Sequence, residues 1–404
     1  MLLELPSNRS EHWRWSDLSG LPALAETPSS GRLPDTLPWI ETERPGPRLL
    51  FVDGVFVPER SEPGEVKVSA ARHKPGNQPL ADLACQEARA GYVIALGANH
   101  AASGLVQIVH VSTGGVAHYS NRIMLEDSAQ ASVVETHVGS GWSNVTAFFE
   151  LHRGARLMRA LRVLKTGGAH TDFAMVTVPD GASYDSTAFV AGAESARIEN
   201  DIVLSGPGAY AEAGGALLAR GSQRLEGVTV LRHDTVGGTS RQVWRMVGDD
   251  KATVSVAARV EVARNAQKTD GEQSLKGLLL ARTATVNLKP ELEIFADDVK
   301  CAHGATVGEL DRNALFYLAS RGIDEAEAKA LLTRAFVADA IDRIGEEKVR
   351  EAFHADAMNW FTKAPPLDGE GLGRGEASGK AGDSIDSTPT QPSPIKGEGF
   401  QGKR

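Results

Sequence analysis

The sequence is poor in cysteine, in aromatic side chains and in long apolar runs, and each shortage narrows the reading. Cys85 and Cys301 are the two cysteines among 404 residues, so a disulfide framework is excluded as a main source of stability. No apolar run reaches the roughly 18 residues that a spanning helix requires. The opening residues, MLLELPSNRSEHWRW, lack a basic stretch followed by an apolar one, so no secretory signal is visible. Together these shortages predict a soluble, cytoplasmic protein with no membrane partner. Positive charge is also scarce: 43 Lys and Arg face 52 Asp and Glu, a net charge of -9. The electrostatic footprint of a nucleic-acid binder is missing, and DNA and RNA are not expected partners.

What is present is glycine, 42 residues, with Val, Ala and Thr dominating the middle of a chain that is 41% hydrophobic. That balance supports a sizeable core and favours many short strands with tight turns over a helical bundle. The first 48 or so residues are rich in proline, with Leu-Pro pairs at Leu5, Leu21, Leu33 and Leu37. This density prevents long helices and predicts a segment that wraps over a surface, anchored by Trp13, Trp15 and Trp39. A hairpin is expected around Asp53-Gly54, a dipeptide whose positive φ angles suit a tight turn.

From about Tyr92 to Gly308 some fifteen runs of strand length follow one another, separated by Gly, Asp, Asn or Ser turns. Alternation is frequent, as at Val228-Val230 and Val254-Val256, and no long helical period intervenes. A very large sandwich, two successive β domains, or a solenoid with coils of roughly 20 to 25 residues would each fit. Small core residues and the lack of a linker favour the solenoid, a parallel β-helix. The period then switches. A short helix is expected over 313–320, stopped by Gly322. A second should run from Glu325 to Ile344 behind a capping box of Asp324 and Glu327, and a third from Glu346 to about Thr362. The stripe of the second is Leu331, Leu332, Ala335, Phe336, Ala340, Ile341 and Ile344, and that of the third is Val349, Phe353, Ala357, Trp360 and Phe361. The expected divisions are an N-terminal segment 1–84, a solenoid core 85–310, a helical region 311–363 and a tail 364–404. The tail has almost no large apolar group and is expected to be disordered.

The most informative stretch is ELEIFADDVKCAHGATVGELD, residues 291–311. In a strand, Cys301 and His303 point to the same side with Cα atoms about 6.6 Å apart. A thiolate and an imidazole suit a borderline or soft metal, but a tetrahedral site needs four donors and the chain has no other thiol nearby. Such a site would be completed from outside the subunit. The bland alternative is a small buried cysteine beside a turn histidine. Asp297 and Asp298 read as surface turn residues, and Cys85, in the helix-like LADLACQEARAG, as a packing residue. His110, His118, His137, His152, His170 and His233 show no metal-ligand spacing along the chain, although stacked coils can bring distant residues together. Gly206-Pro-Gly208 matches a loose dinucleotide pattern, but Gly214 and Gly215 prevent a helix from opening there. Neither a P-loop nor a G-x-S-x-G elbow occurs, so ATP hydrolysis and serine hydrolysis have no support.

Residues 265–336, with Cys-Ala-His-Gly-Ala-Thr-Val-Gly followed by Leu-Phe-Tyr-Leu-Ala-Ser-Arg-Gly-Ile, resemble the SufB/SufD family of iron-sulfur cluster assembly proteins. Arg9, Glu11 and Trp13 are similar to the family's Arg-x-Glu-x-Trp element, and residues 117–139 to its first coils. The short chain and the single Lys-Cys-x-His-Gly motif are more like SufD than SufB. The resemblance implies a right-handed parallel β-helix with helical ends, acting as a non-catalytic scaffold. It implies a heterodimer with SufB through the solenoids and docking of the SufC ATPase on the C-terminal helices. His303 and Cys301 would face SufB and hold transient iron or a nascent cluster. Arg321, Ile323, Leu331, Leu332 and Phe336 would dock SufC. No cofactor bound stably by this chain alone is implied, while a reduced flavin could serve the complex. Members of the family usually carry a helical stretch before the Arg-x-Glu-x-Trp element, so either a truncated start or an initiation codon upstream is expected. The alternatives are a homodimeric SufB/SufD-like scaffold and a β-solenoid polysaccharide lyase or hydrolase.

Overall fold

The computed structural model describes residues 5–73, 76 and 78–362. The expected disordered tail lies outside the described residues. Alternation of apolar and polar side chains makes the strands. In Thr253–Val262, the side chains of Val254, Val256, Ala258, Val260 and Val262 are fully buried on one face while Thr253, Ala257, Arg259 and Glu261 keep solvent contact. Complete burial of one such valine stabilises the fold by about 1.5–3 kcal/mol, and β-branched side chains suit a pleated surface.

These strands stack into a parallel solenoid of about seven turns with two long sheets. The first sheet contains Pro45–Val52, the leading halves of Leu105–Leu125 and Gln130–Leu151, then Arg156–Lys165, Ser183–Ala191, Tyr210–Ala219, Thr239–Gly248, Asp270–Leu279 and Lys300–Glu309. The second contains Tyr92–Leu96, the trailing halves of the two long strands, Ala169–Val178, Ser195–Leu204, Arg224–His233, Thr253–Val262 and Thr285–Ile294. The parallel ladder therefore reaches back to Pro45, well before residue 85. The coils are longer than the sequence spacing suggests. Arg156 sits beside Ser183, 27 residues on, and Thr253 beside Thr285, 32 residues on.

The two long strands bend from one sheet into the other where glycines take positive φ: Gly114, Gly115, Gly139 and Gly141. A side chain at Gly139 would have its Cβ 2.0 Å from the Ser112 carbonyl oxygen, so no larger residue fits that corner. The expected hairpin forms: Val52 pairs with Val55 around Asp53 and Gly54, both with positive φ.

Among the described residues five α-helices decorate the solenoid: α1 (Leu21–Glu26), α2 (Pro79–Glu87), α3 (Arg312–Ser320), α4 (Glu325–Ile341) and α5 (Glu347–Thr362). Asp324 caps α4 by accepting from the Glu327 amide at 2.9 Å, and Asp311 caps α3 from Asn313 at 2.8 Å. These caps satisfy helix-end donors that would otherwise lack partners. Helices α4 and α5 cover the outer face of the first sheet, where Val337, Ile341, Val349, Phe353 and Ala357 meet Val134, Phe189 and Leu218. The N-terminal segment crosses from one sheet to the other: Trp13 and Leu21 pack with Trp142 and Ala169 on the outer face of the second, and Leu33, Leu37 and Trp39 with Leu50 and Val109 on that of the first. Of its three tryptophans Trp13 is the buried anchor, with the Arg197 guanidinium 4.1 Å from its ring centre; Trp15 and Trp39 are half-buried.

Candidate functional site

Lys300–Glu309 is the last strand of the first sheet. It pairs with Asp270–Leu279 so that Gly271 lies beside Cys301 and Gln273 beside His303. Among the described residues no further strand pairs with its other edge, so its backbone groups there are open. Cys301 and His303 face the same side, as the strand period requires, and that side continues the lumen. Cys301 packs against the lumen's apolar cluster and is half-buried, and burial raises its thiol above the ordinary range. His303 is exposed because no coil follows. Around this open end Ile294, Phe295 and Val307 are exposed, Phe295 at 65%. Large apolar groups gathered at a sheet edge mark an interaction surface.

Asp297 and Asp298 lie in the exposed bend before the strand, and Asp298 is ion-paired with Lys268. They are turn residues. Cys85 is buried in α2, its thiol donating to the His73 carbonyl at 3.0 Å. Gly206-Pro-Gly208 forms a turn into the strand Tyr210–Ala219, not a helix.

Arg321 is exposed, with its guanidinium 5.2 Å from the Tyr317 ring centre, and Ile323 is half-buried. The buried face of α4 is Ala328, Thr333, Val337, Ala340 and Ile341; Ala340, Ile341 and, just past the helix, Ile344 are buried as the sequence stripe expects, and its first four residues are corrected. Leu331 and Ala335 are exposed, while Leu332 and Phe336 are half-buried. Small residues let the helix sit close to the sheet, and the bulky ones are rotated toward its margin. The five residues thus fall along the exposed and marginal surface of the α3–α4 region, apart from the strand that carries Cys301 and His303.

Sequence reasoning missed the interior. At the other end of the solenoid the lumen holds an ionic and imidazole cluster. Arg159, 1% exposed, donates to Glu135 at 2.7 Å and to both oxygens of Asp172 at 2.9 and 2.7 Å. These two carboxylates keep the guanidinium charged against the cost of its burial. Burial raises the Glu135 carboxyl, with Arg159 opposing. Lys165 donates to the hydroxyls of Ser112 and Ser143, each at 3.2 Å, and burial lowers its ammonium to about 7. His110 stacks on His137 with ring centres 4.3 Å apart, and His170 lies 4.4 Å beyond at a tilt of 55°. Burial keeps all three neutral: His110 falls to about 3, and His137 and His170 well below their ordinary value. The signal that could have found this pair was the coil length, because His110 and His137 are neighbours one coil apart.

Residues 108–336 match the family model described as SUF system FeS cluster assembly, SufBD core domain, more than half of the chain. The iron-sulfur cluster assembly protein SufD of Escherichia coli is 27% identical over 371 residues, covering 86% of this chain and 87% of that protein. A SufBD family iron-sulfur cluster assembly protein of Synechocystis is 24% identical over 384 residues, covering 85% and 84%. Another from Mycobacterium tuberculosis is 26% identical over 366 residues, covering 87% and 88%. With a parallel solenoid of the expected kind and a matching core, the chain belongs to the SufB/SufD family of iron-sulfur cluster assembly proteins and is of the SufD type.

Proposed function

We propose that this protein is a non-catalytic scaffold subunit of a cytoplasmic SUF assembly complex. It pairs with a SufB-type subunit through the open end of its solenoid, and a SufC-type ATPase docks on its C-terminal helices. The observation that carries the reading is the uncovered strand Lys300–Glu309, which offers a half-buried thiol and an exposed imidazole beside unpaired backbone groups and exposed apolar side chains. A strand added at that edge would bring further donors to Cys301 and His303 and complete a ligand set for transient iron or a nascent cluster. At this edge no cofactor need be held by this chain alone, and a reduced flavin would act on the assembled complex.

The arrangement of carboxylates supports a scaffold over a polysaccharide lyase or hydrolase. On the outer face of the second sheet Glu199 and Glu226 are engaged by Arg197, Asp201 by Arg232 and Glu261 by Arg259. Paired acids of this kind are not poised for acid/base work. One observation favours a homodimer as the second reading: an open strand edge can equally accept a second copy of itself.

Co-expression with SufB-type and SufC-type proteins, followed by size-exclusion chromatography with light scattering, tests the assembly. A stable hetero-complex is expected, and a homodimer that ignores both partners would select the second reading. His303→Ala should leave that complex intact and lower its cluster yield in anaerobic reconstitution. An unchanged yield would remove His303 from the site.

A further inference from the structure

We propose that His110, His137 and Glu135 form a binding site for one divalent first-row transition ion inside the lumen, with His170 as the adjacent fourth donor. This rests on the interior geometry alone and is independent of the assembly role proposed above. One ligand atom from each of His110, Glu135 and His137 lies within 4.8 Å of the others, and all three residues are buried.

The imidazoles are unusual for a solenoid interior. Both ring nitrogens of His110, of His137 and of His170 lack a hydrogen-bond partner although each residue is 0% exposed. Buried polar atoms without partners are rare and costly, and an ion would take up one nitrogen of each coordinating ring. The lumen row that contains the stacked pair is otherwise apolar, with Phe51 before it and Val163, Val190, Leu217 and Met246 after it. Apolar packing would therefore have served at these two positions, as it does along the rest of the row.

The donor set decides the ion. Neutral imidazole nitrogens with one carboxylate suit borderline ions such as Fe²⁺, Co²⁺ or Zn²⁺, and neither all-oxygen ions such as Mg²⁺ and Ca²⁺ nor thiolate-seeking Cu⁺. Donors about 2.0–2.1 Å from one ion lie about 3–3.5 Å apart, so the rings must swing inward slightly on binding. The Arg159 guanidinium is paired with both Glu135 and Asp172, which leaves one net negative charge in that triad for the ion, while Lys165 is held by the Ser112 and Ser143 hydroxyls. Because the cluster is sealed, the ion is taken up while the chain folds.

The full chain is refolded anaerobically with Co²⁺ as the probe, gel-filtered, and assayed for cobalt per chain, for ligand-field absorption and for the cobalt X-ray absorption fine structure. One retained ion per chain is expected, with an imidazole nitrogen and oxygen shell and no sulfur. Losing a direct ligand should cost more than the 10- to 100-fold in affinity typical of second-shell changes, so His110→Phe and His137→Phe should each lose the ion by about 100-fold or more. His303→Ala should keep it. Thermal unfolding of the metal-free variants reports whether they fold, and Phe fits beside Phe51 and Tyr119, which already flank His110. Sulfur scattering from the parent chain, retention by the folded Phe variants, loss in His303→Ala, or no retained ion in the folded parent would each overturn the site. The scattering readout stands on the parent chain even if both Phe variants misfold.

Discussion

Lys165 shows how a single buried charge links the fold to pH. The residue is 3% exposed, and its ammonium is lowered to about 7 from 10.5, with burial as the cause and Asp53 opposing. Between these two values the unfolded chain carries a proton that the folded chain does not, so stability rises with pH across about 7 to about 10.5. Below that window both states are charged and the folded state bears the whole desolvation cost. Lys165→Met removes the charge without orphaning its partners, because Ser112 and Ser143 already bond to each other at 2.9 Å. The variant should be more stable than the parent at pH 7 by on the order of a few kcal/mol, and the difference should shrink toward pH 10.5. Urea midpoints at several pH values between these limits measure it. A parent and variant with parallel pH profiles would show that Lys165 is charged and solvated in the folded protein.

At the scale of elements, α4 and α5 separate packing from surface roles. Phe353 is fully buried beneath the first sheet's outer face, its ring centre 6.0 Å from that of Phe189. Phe353→Ala should cost about 3–5 kcal/mol, read as a lowered denaturation midpoint. Leu331 is 37% exposed, so Leu331→Ala should change stability by no more than about 0.5 kcal/mol while weakening capture of a SufC-type ATPase in a pull-down. Equal ATPase capture by parent and variant would move the docking surface elsewhere. The stripe of α5 was legible because Val349, Phe353 and Trp360 are large enough, and regularly enough spaced, to define one face. The stripe of α4 was not. Its C-terminal part, Ala340 and Ile341, was read correctly, but the rest of its buried face uses Ala328, Thr333 and Val337, and hydrophobicity alone gives small or polar residues little weight against Leu331 and Leu332. The strands were legible from alternation and the hairpin from Asp53-Gly54. Coil length was hidden because 105–125 and 130–151 each run through a glycine corner as one strand, which erases the turn signals that would have marked the period. Without that period the lumen cluster could not be assembled from scattered histidines, whereas the Cys301 and His303 pair needed only the local period of two.

For the whole molecule, a solenoid buries each coil against its neighbours, so its last coil is left without one. The apolar surface at that end is then a feature of the stack as a whole and not of any one element: Ile294 and Phe295 come from the second sheet's last strand and its exit, and Val307 from the first sheet's last strand. Placing a charge there should separate folding from assembly. Val307 is 46% and Phe295 65% exposed, so Phe295→Asp with Val307→Asp removes little buried area and should leave the thermal midpoint of the isolated chain within a few degrees of the parent. The same change sets two carboxylates against a partner's desolvated surface, where an unpaired buried charge costs several kcal/mol. Size-exclusion chromatography with light scattering should therefore show the parent in a dimer or hetero-complex and the double variant as a folded monomer at equal concentration. If the variant assembles as the parent does, the open end is not the interface, and Cys301 and His303 must find their remaining donors within this chain.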